Sequence, residues 1–257
     1  YVFHLDLTPN YARCLGMLGV AREVKAMEKS SSQIDWPEID IKDDESTSID
    51  KLASIKIEDE DLCPRYAGRV IRDVKIKPSP QWMQRRLKAA GIRPINNIVD
   101  INNYILMEYN QPLHAFDLDK IKEGQVIVRR AKENEKVVTI DDVERTLDQE
   151  TLVITDPDKV IAVAGVMGAE NSEVTEETTD IFLEAAYFEP TSIRKTARKL
   201  GLPSEASHRF ERGIDIERVI EAGNRAAYLM QEYAEGKVAS GIIDNYPVPY
   251  EEKIIEV

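Results

Sequence analysis

Several features that mark common protein classes are scarce or missing in this chain of 257 residues. Its two cysteines, Cys14 and Cys63, stand far apart without a CxxC motif, so we expect free thiols in a reducing compartment. The longest apolar run, 160–168, has nine residues, whereas a bilayer span needs about 20, so we predict no membrane segment. A basic stretch followed by an apolar one is also missing, which argues against a signal peptide.

Familiar catalytic motifs are absent as well. The sequence contains no GxSxG, HExxH, GxxxxGK[ST] or GxGxxG. Its three histidines, His4, His114 and His208, have no second histidine or cysteine at metal-ligand spacing. We therefore predict no metal site and no zinc-dependent catalysis in this chain.

Positive charge is in deficit, since 34 Lys and Arg stand against 47 Asp and Glu for a net charge of −13. This balance disfavours a protein whose main task is to coat a phosphate backbone. Much of the excess lies in 35–62, which carries 11 acidic residues and three lysines and which we interpret as a solvated connector.

Periodicity predicts the remaining organisation. Helical spacing covers 9–29, a helix starts after Ser79 as N-cap, and further helices are expected at 100–108, 190–200 and 215–234. Strand-like runs are predicted at 66–76, 126–130, 137–140, 145–147, 152–155, 160–164 and 181–186. Strands grouped between helices indicate an α+β fold with central antiparallel or mixed, β-sandwich-like sheets flanked by helices in layers.

The domain boundaries follow from the same patterns. We predict an entry strand and helix at 1–34, the acidic connector at 35–62, one compact domain at 63–236 and an exit segment at 237–257. The first residue is Tyr1 rather than Met, and we expect the chain to be a piece of a longer one.

Candidate functional residues are those whose polarity or flexibility is unusual for their surroundings. Asn102 and Asn103 interrupt an apolar segment, and His114 stands in a proline-stiffened segment that we read as a loop. Gly168 ends a strand in a glycine turn, and Glu184 shares a strand face with the apolar residues two positions away on each side. From the residues alone, purely structural roles for all of them stay open.

Five ordered motifs resemble one family, the bacterial-type phenylalanyl-tRNA synthetase beta subunit, in its central region. The motifs are CPRYAGRVI at 63–71, SPQWMQRRLKAAGIRPINNIVDINNYILMEYNQPLHAFDLDKI at 79–121, AGVMGAE at 164–170, LEAAYF at 183–188 and SEASHRFERGID at 204–215. In that family the region, here 63–236, is the editing domain, which hydrolyses tyrosine mistakenly attached to tRNA(Phe). The family's editing-pocket positions correspond to Arg93, Asn102, Asn103, His114, Gly168, Glu184, Ser204 and Ala206.

The resemblance implies a catalytic pair and an oxyanion site. Glu184 would accept a hydrogen bond from the tyrosine phenol, and His114 would position or partly activate the attacking water. Main-chain amides near Gly168 would stabilise the oxyanion. Hydrolysis of an activated ester requires neither a metal nor a covalent nucleophile, so we expect no cofactor in this region.

The remaining positions would bind the rest of the substrate. Asn103 and Ser204 would hold the terminal adenosine, Ala206 would keep the pocket wall small, and Arg93 would contact a phosphate or brace Asn103. Some residues depart from the family's usual ones. Asn102 and Ser204 stand where threonine is usual, Pro203 where a basic residue is usual and Ala169 where a second glycine is usual. We therefore expect weakened or retuned activity rather than loss.

The family also implies partners. The expected partners are an alpha subunit, in an alpha2beta2 tetramer whose synthetic site uses ATP and magnesium, and the 3′ end of tRNA(Phe) carrying tyrosine, all in the cytoplasm. Two alternatives remain open: a catalytically silent module that only supports subunit assembly or contacts tRNA, and a free-standing RNA-binding module.

Overall fold

The computed structural model describes residues 2–28, 33–247 and 249–250. Within this part of the chain the helices are α1 (Met17–Met27), α2 (Gln81–Ala89), α3 (Asn97–Tyr109), α4 (Pro190–Leu200), α5 (Glu205–Phe210) and α6 (Val219–Ala234). The strands are β1 (Asp43–Ser48), β2 (Ser54–Ile57), β3 (Arg65–Arg72), β4 (Leu113–Asp117), β5 (Gln125–Arg130), β6 (Lys136–Val138), β7 (Glu144–Thr146), β8 (Leu152–Thr155), β9 (Val160–Val163), β10 (Met167–Gly168), β11 (Ile181–Tyr187), β12 (Lys237–Ser240) and β13 (Ile243–Asn245). No helix in these ranges combines the length and hydropathy that crossing a bilayer requires.

The strands form two main sheets. The larger has the order β1-β12-β3-β11-β4, with β13 also paired to β3, and only β1 and β12 run parallel to each other. The smaller has the order β10-β9-β8-β5-β2, in which only β2 and β5 are parallel. Strands β6 and β7 form a separate hairpin.

The two sheets face each other as a sandwich. Because side chains alternate along a strand, every second residue of β3 and β11 points to the smaller sheet. Tyr66 and Val70 of β3 and Phe182 of β11 join Val128 and Ile154 of the smaller sheet in one cluster of buried apolar side chains. Removal of these side chains from water is the main favourable term that holds the sheets together.

Helices cover the outer face of the larger sheet. Ile71 of β3 and Leu183 of β11 pack there with Ile101 and Ile105 of α3 and Ala226 of α6. The chain therefore has three layers, which are the smaller sheet, the larger sheet and a helical layer. This arrangement confirms the predicted α+β class with sandwich-like sheets and flanking helices.

The predicted acidic connector is wrong for its central part. Within 35–62, β1 pairs with β12 and β2 pairs with β5, while Ile49 and Ala53 are buried in the core. The strands of this segment are indicated only by isolated apolar residues between the acidic ones. The high net charge of the segment led to the prediction of a solvated connector instead. The exit segment likewise begins inside the larger sheet, because β12 and β13 both pair with β3. Parts of the predicted entry and exit segments, at 1, 29–32, 248 and 251–257, lie outside the described residues.

Several element predictions need correction. The segment interpreted as a loop around His114 is strand β4 at the edge of the larger sheet. The helix expected at 9–29 is a 3-10 turn at Pro9–Leu15 and then α1, separated by Gly16 in an extended conformation. A Cβ at Gly16 would lie 2.5 Å from the amide nitrogen of Asn110, so this close approach of two backbones explains the break.

Two helix starts also differ from the prediction. Ser79 is not the N-cap of α2, because its hydroxyl donates to the carboxylate of Asp100 instead. Helix α3 begins at Asn97, where the side chain of Asn96 accepts a hydrogen bond from the Val99 amide. The short helix α5 was not predicted.

Candidate active site

Glu184 lies in the interior of the sandwich. On β11 it is in register with Gly68 of β3 on one side and His114 of β4 on the other. It shares the inward face with Phe182 and Ala186, as alternation predicts, and its side chain is 6% exposed. A carboxyl group in such a position needs a hydrogen-bond donor, because unpaired burial of a polar group is costly.

Tyr66 supplies that donor. Its phenol donates to Oε2 of Glu184 at 2.9 Å, and its side chain is fully buried. Within the described residues no hydrogen bond reaches Oε1. Burial raises the pKa of Glu184 to about 8, and the Tyr66 hydrogen bond partly opposes that rise.

His114 forms the neighbouring part of the site. Its ring packs edge-on against Phe116, with centroids 4.5 Å apart, and burial lowers its pKa to about 4. The imidazole is therefore neutral at pH 7. In the described part of the chain no hydrogen bond occupies either ring nitrogen, so one of them is free to accept a proton or bind water.

Gly168 is required by the position of the His114 ring. A Cβ built on Gly168 would lie 2.8 Å from Cε1 and 2.9 Å from Nε2 of His114. The carbonyl of Gly168 accepts a hydrogen bond from the Ile140 amide, which ties β10 to the hairpin of β6 and β7. Because Gly168 has no side chain, the imidazole of His114 can pack directly against its backbone.

These residues line one cavity that opens to solvent, and the empty space within it amounts to about 380 Å³ when the open solvent at its mouth is included. Apolar side chains make up most of the wall, and the polar side chains in it are His114 and Glu184. The lining consists of Pro112, Leu113, His114, Ile154, Ala162, Val163, Gly165, Val166, Met167, Gly168, Glu184, Ala206 and Phe210.

Four predicted site residues meet in this cavity, namely His114, Gly168, Glu184 and Ala206. Ser204 lies just outside the lining. Its hydroxyl caps α5 by accepting from the Ser207 amide at 3.0 Å and donates to the carbonyl of Val166, a cavity residue, at 2.9 Å. Ser204 therefore holds the wall that carries Ala206.

Arg93, Asn102 and Asn103 are not in the cavity lining. Arg93 is exposed between α2 and α3, and no hydrogen bond or ion pair engages it within the described residues. The two asparagines lie on α3, which packs on the other face of the larger sheet. Within the part of the chain that the structure describes, the buried Oδ1 of Asn102 has no hydrogen-bond partner. Contact of these three residues with substrate stays a prediction.

No local pattern in the sequence marks Tyr66 as a site residue. Tyrosine in an apolar strand looks like ordinary core, yet a buried carboxylate on a neighbouring strand requires a donor. Phe210 and Ile154, which complete the wall, were also missed because apolar residues carry no local signal of a cavity. In the described ranges, no group of three His, Cys, Asp or Glu side chains is arranged to hold a metal ion.

Comparison with known proteins agrees with the resemblance in the sequence. A family model described as the B3/4 domain matches residues 62–235. The chain is 51% identical over 257 residues to the phenylalanine-tRNA ligase beta subunit of Carboxydothermus hydrogenoformans, matching all of this chain and 32% of that protein. It is 52% identical over 243 residues to the beta subunit of Geobacillus kaustophilus, matching 95% of this chain and 30% of that protein. The chain thus spans about a third of the length of these relatives.

A solved structure has a similar fold. It is an N-terminal fragment of the phenylalanyl-tRNA synthetase beta subunit from Pyrococcus horikoshii, with a TM-score of 0.50 over 93% of this chain and 65% of that one. The sequences are 15% identical, so this similarity concerns the fold alone.

Proposed function

The chain belongs to the B3/4 domain family, in the form carried by bacterial phenylalanine-tRNA ligase beta subunits, and on this premise we propose that its cavity is an editing site. The site hydrolyses the ester of tyrosine misattached to tRNA(Phe), while the whole enzyme attaches phenylalanine to that tRNA.

A separate site of this kind solves a limit of the synthetic site. A pocket shaped for phenylalanine discriminates against an isostere with one added hydroxyl by only about 10²-fold. A second site that requires the hydroxyl has the opposite preference. It removes tyrosine and spares the correct product.

The observation that carries the proposal is the free Oε1 of Glu184 at the wall of an apolar cavity. A tyrosine phenol that enters the cavity can donate to this oxygen. A phenylalanine ring would cover the carboxyl group without offering a donor, which costs about 1–3 kcal/mol and more when the group is charged. Glu184 therefore selects by penalising the amino acid that lacks the hydroxyl.

Hydrolysis requires a positioned water and stabilisation of the oxyanion. His114, neutral at pH 7 and in register with Glu184, accepts a hydrogen bond from the water and aids its deprotonation. The backbone around Gly168, against which the His114 ring packs, provides the amides for the oxyanion. The small side chain of Ala206 in the cavity wall leaves room for the tyrosine ring.

A basic face of α4 supports a nucleic-acid partner despite the net charge. Arg194, Lys195, Arg198 and Lys199 are all exposed, and only Lys199 forms a salt bridge within the described residues, with Asp148. The buried side of α4 carries Ile193, which packs against Gly165 in the cavity wall. The four basic side chains thus lie on the exposed side of the helix whose buried side contacts the cavity wall. Phosphates of the tRNA acceptor end would bind to these side chains when the aminoacylated end enters the cavity.

The wider assembly follows from the same proposal. The chain is part of a beta subunit that works with an alpha subunit in an alpha2beta2 tetramer in the cytoplasm. ATP and magnesium serve the synthetic site of the alpha subunit, and the editing site itself uses no cofactor. Asn103 and Arg93 contact the terminal nucleotides only when the tRNA end is bound.

Deacylation of preformed tyrosyl-tRNA(Phe) by the assembled ligase tests the proposal. The wild-type enzyme should release tyrosine, and His114→Ala and Glu184→Ala should slow the release by at least about tenfold while phenylalanine attachment is retained. Ile95→Ala, a change at an exposed apolar residue outside the cavity, is the control. Full deacylation by both site variants would instead support the structural module.

A further inference from the structure

The hydrogen bond between Tyr66 and Glu184 connects the cavity wall to the core of the sandwich. Tyr66 lies on β3, two residues from Gly68, the position in register with Glu184. Its ring packs edge-on against Phe188 with centroids 6.4 Å apart, and Phe188 packs in the same way against Phe210 at 5.0 Å. Phe210 is part of the cavity wall, so the position of the Tyr66 phenol is fixed by the same core that shapes the cavity.

The hydrogen bond from the Tyr66 phenol makes the two carboxyl oxygens of Glu184 different from each other. Oε2 is occupied by Tyr66, and Oε1 has no partner within the described residues. A carboxylate accepts hydrogen bonds on both oxygens. Without Tyr66 a bound phenol could approach either of them, and the side chain would have no donor to hold its rotation.

We infer that Tyr66 is a positioning residue for amino-acid selection, whose phenol occupies Oε2 of Glu184 and leaves Oε1 as the single acceptor for the phenol of the substrate. This inference rests on the proposed editing function. Tyr66 does not touch the substrate and acts through Glu184. The site therefore contains an internal phenol that fixes where the substrate's phenol must bind.

Within the described residues, no other group near Glu184 donates a hydrogen bond to its carboxyl group. The ionisable groups that face it are Tyr66 and Cys63 on the β3 side and His114 on β4. Burial raises the pKa of Cys63, so the thiol is neutral, and its Sγ is directed to the carbonyl of Arg65 at 3.7 Å. His114 is neutral at pH 7, and no hydrogen bond joins it to Glu184 in the described part of the chain. The Tyr66 hydroxyl is thus the one donor that favours the ionised carboxylate among the described residues.

Tyr66→Phe in the assembled ligase tests the inference. The variant should deacylate tyrosyl-tRNA(Phe) about tenfold less efficiently at pH 7, chiefly through a higher KM, while hydrolysis of phenylalanyl-tRNA(Phe) should not fall. The acidic limb of the pH profile should move upward by about one unit, because ionised Glu184 has lost its donor. A general structural defect would lower both activities and leave the limb in place.

Tyr104→Phe is a matched control. Tyr104 is also buried and donates its phenol to a glutamate, Glu108, at 2.9 Å, but it lies on α3 outside the cavity. This variant should keep the wild-type pH profile. Thermal unfolding of each enzyme verifies that it is folded, and Tyr66→Leu, which also lacks the hydroxyl, should reproduce the shifted limb.

The possible failures are distinguishable. If Glu184→Ala leaves deacylation intact, the proposed function itself is wrong. If Glu184→Ala abolishes it but the folded Tyr66 variants keep the wild-type pH limb and the wild-type ratio of tyrosine to phenylalanine release, only the role of Tyr66 is overturned.

Discussion

Glu184 and His114 are in register on adjacent antiparallel strands, and burial moves their pKa values in opposite directions, to about 8 and about 4. Both side chains are therefore largely uncharged at pH 7 when the cavity is empty. This pair combines a carboxyl group that ionises near the working pH with an imidazole that stays available as a base. Opposite environmental effects on neighbouring titratable groups are a common way to divide roles in a site.

The pH dependence of tyrosyl-tRNA(Phe) deacylation should report the carboxyl group. Only ionised Glu184 accepts a full hydrogen bond from the substrate, so kcat/KM should rise with pH up to an apparent pKa near 8. The rate should rise about tenfold per unit well below that value. In Glu184→Gln this limb should be missing, and any remaining slope measures attack by hydroxide alone. An identical limb in both enzymes would rule out Glu184 as its origin.

The same group should make the stability of the chain depend on pH. Its folded-state pKa of about 8 exceeds the ordinary 4.5, so its favourable contribution is complete below pH 4.5 and is lost as pH rises to 8. Glu184→Gln removes this loss. Relative to wild type, the variant should gain up to about 4 kcal/mol in free energy of unfolding between pH 5 and pH 9. Denaturant unfolding at the two pH values measures the difference, and parallel pH curves would contradict the raised pKa.

Gly168→Ala should disturb the His114 ring. The new Cβ would lie 2.8 Å from Cε1 and 2.9 Å from Nε2 of His114, so the ring must move. We expect at least a tenfold loss in deacylation rate, since small displacements of a catalytic group are costly. Gly223→Ala is the control. It lies on α6 with its new Cβ at 3.4 Å from Ala185, and it should leave activity unchanged. Equal rates for both variants would exclude a need for the close contact at position 168.

Reversal of the charges on α4 should weaken binding of the tRNA end. In Arg194→Glu/Lys195→Glu/Arg198→Glu the KM for tyrosyl-tRNA(Phe) should rise, and log KM should depend less steeply on log salt, by about two units of slope. Hydrolysis of tyrosyl-adenosine, which has no phosphates, should be unchanged. The control is Arg85→Glu/Lys88→Glu on the exposed side of α2. A wild-type salt slope in the triple variant would remove α4 from the binding surface.

The sequence predicted those parts of the site that depend on local pattern. Alternation along 181–186 correctly placed Glu184 on the same face as Phe182 and Ala186. The strand that carries His114 was not predicted, because Pro112 beside it is typical of a turn, whereas its pairing with β11 is a long-range contact. Tyr66 was missed for the same reason, since its partner lies 118 residues away in the chain.

Four residues that the resemblance placed in the pocket are not part of the cavity lining, namely Arg93, Asn102, Asn103 and Ser204. Ser204 does not line the cavity, but its hydroxyl donates a hydrogen bond to the carbonyl of Val166, which does. Among the described residues, none donates a hydrogen bond to the Oδ1 of Asn102, so this oxygen can accept one from the bound tRNA end. A sequence motif identifies the segments that lie near the site. Which of their side chains reach the cavity depends on the face of the helix or strand on which each one stands.

In the proposed editing site, Glu184 makes the cavity select tyrosine by its hydroxyl. The most direct measurement is the ratio of kcat/KM for deacylation of tyrosyl-tRNA(Phe) to that for phenylalanyl-tRNA(Phe), in the wild-type ligase and in Glu184→Leu. A site built around a hydroxyl partner discriminates strongly, whereas an apolar site discriminates weakly. The wild type should strongly prefer tyrosine, and Glu184→Leu should bring the ratio close to one by admitting phenylalanine. An unchanged ratio in a folded variant would show that Glu184 does not select the amino acid.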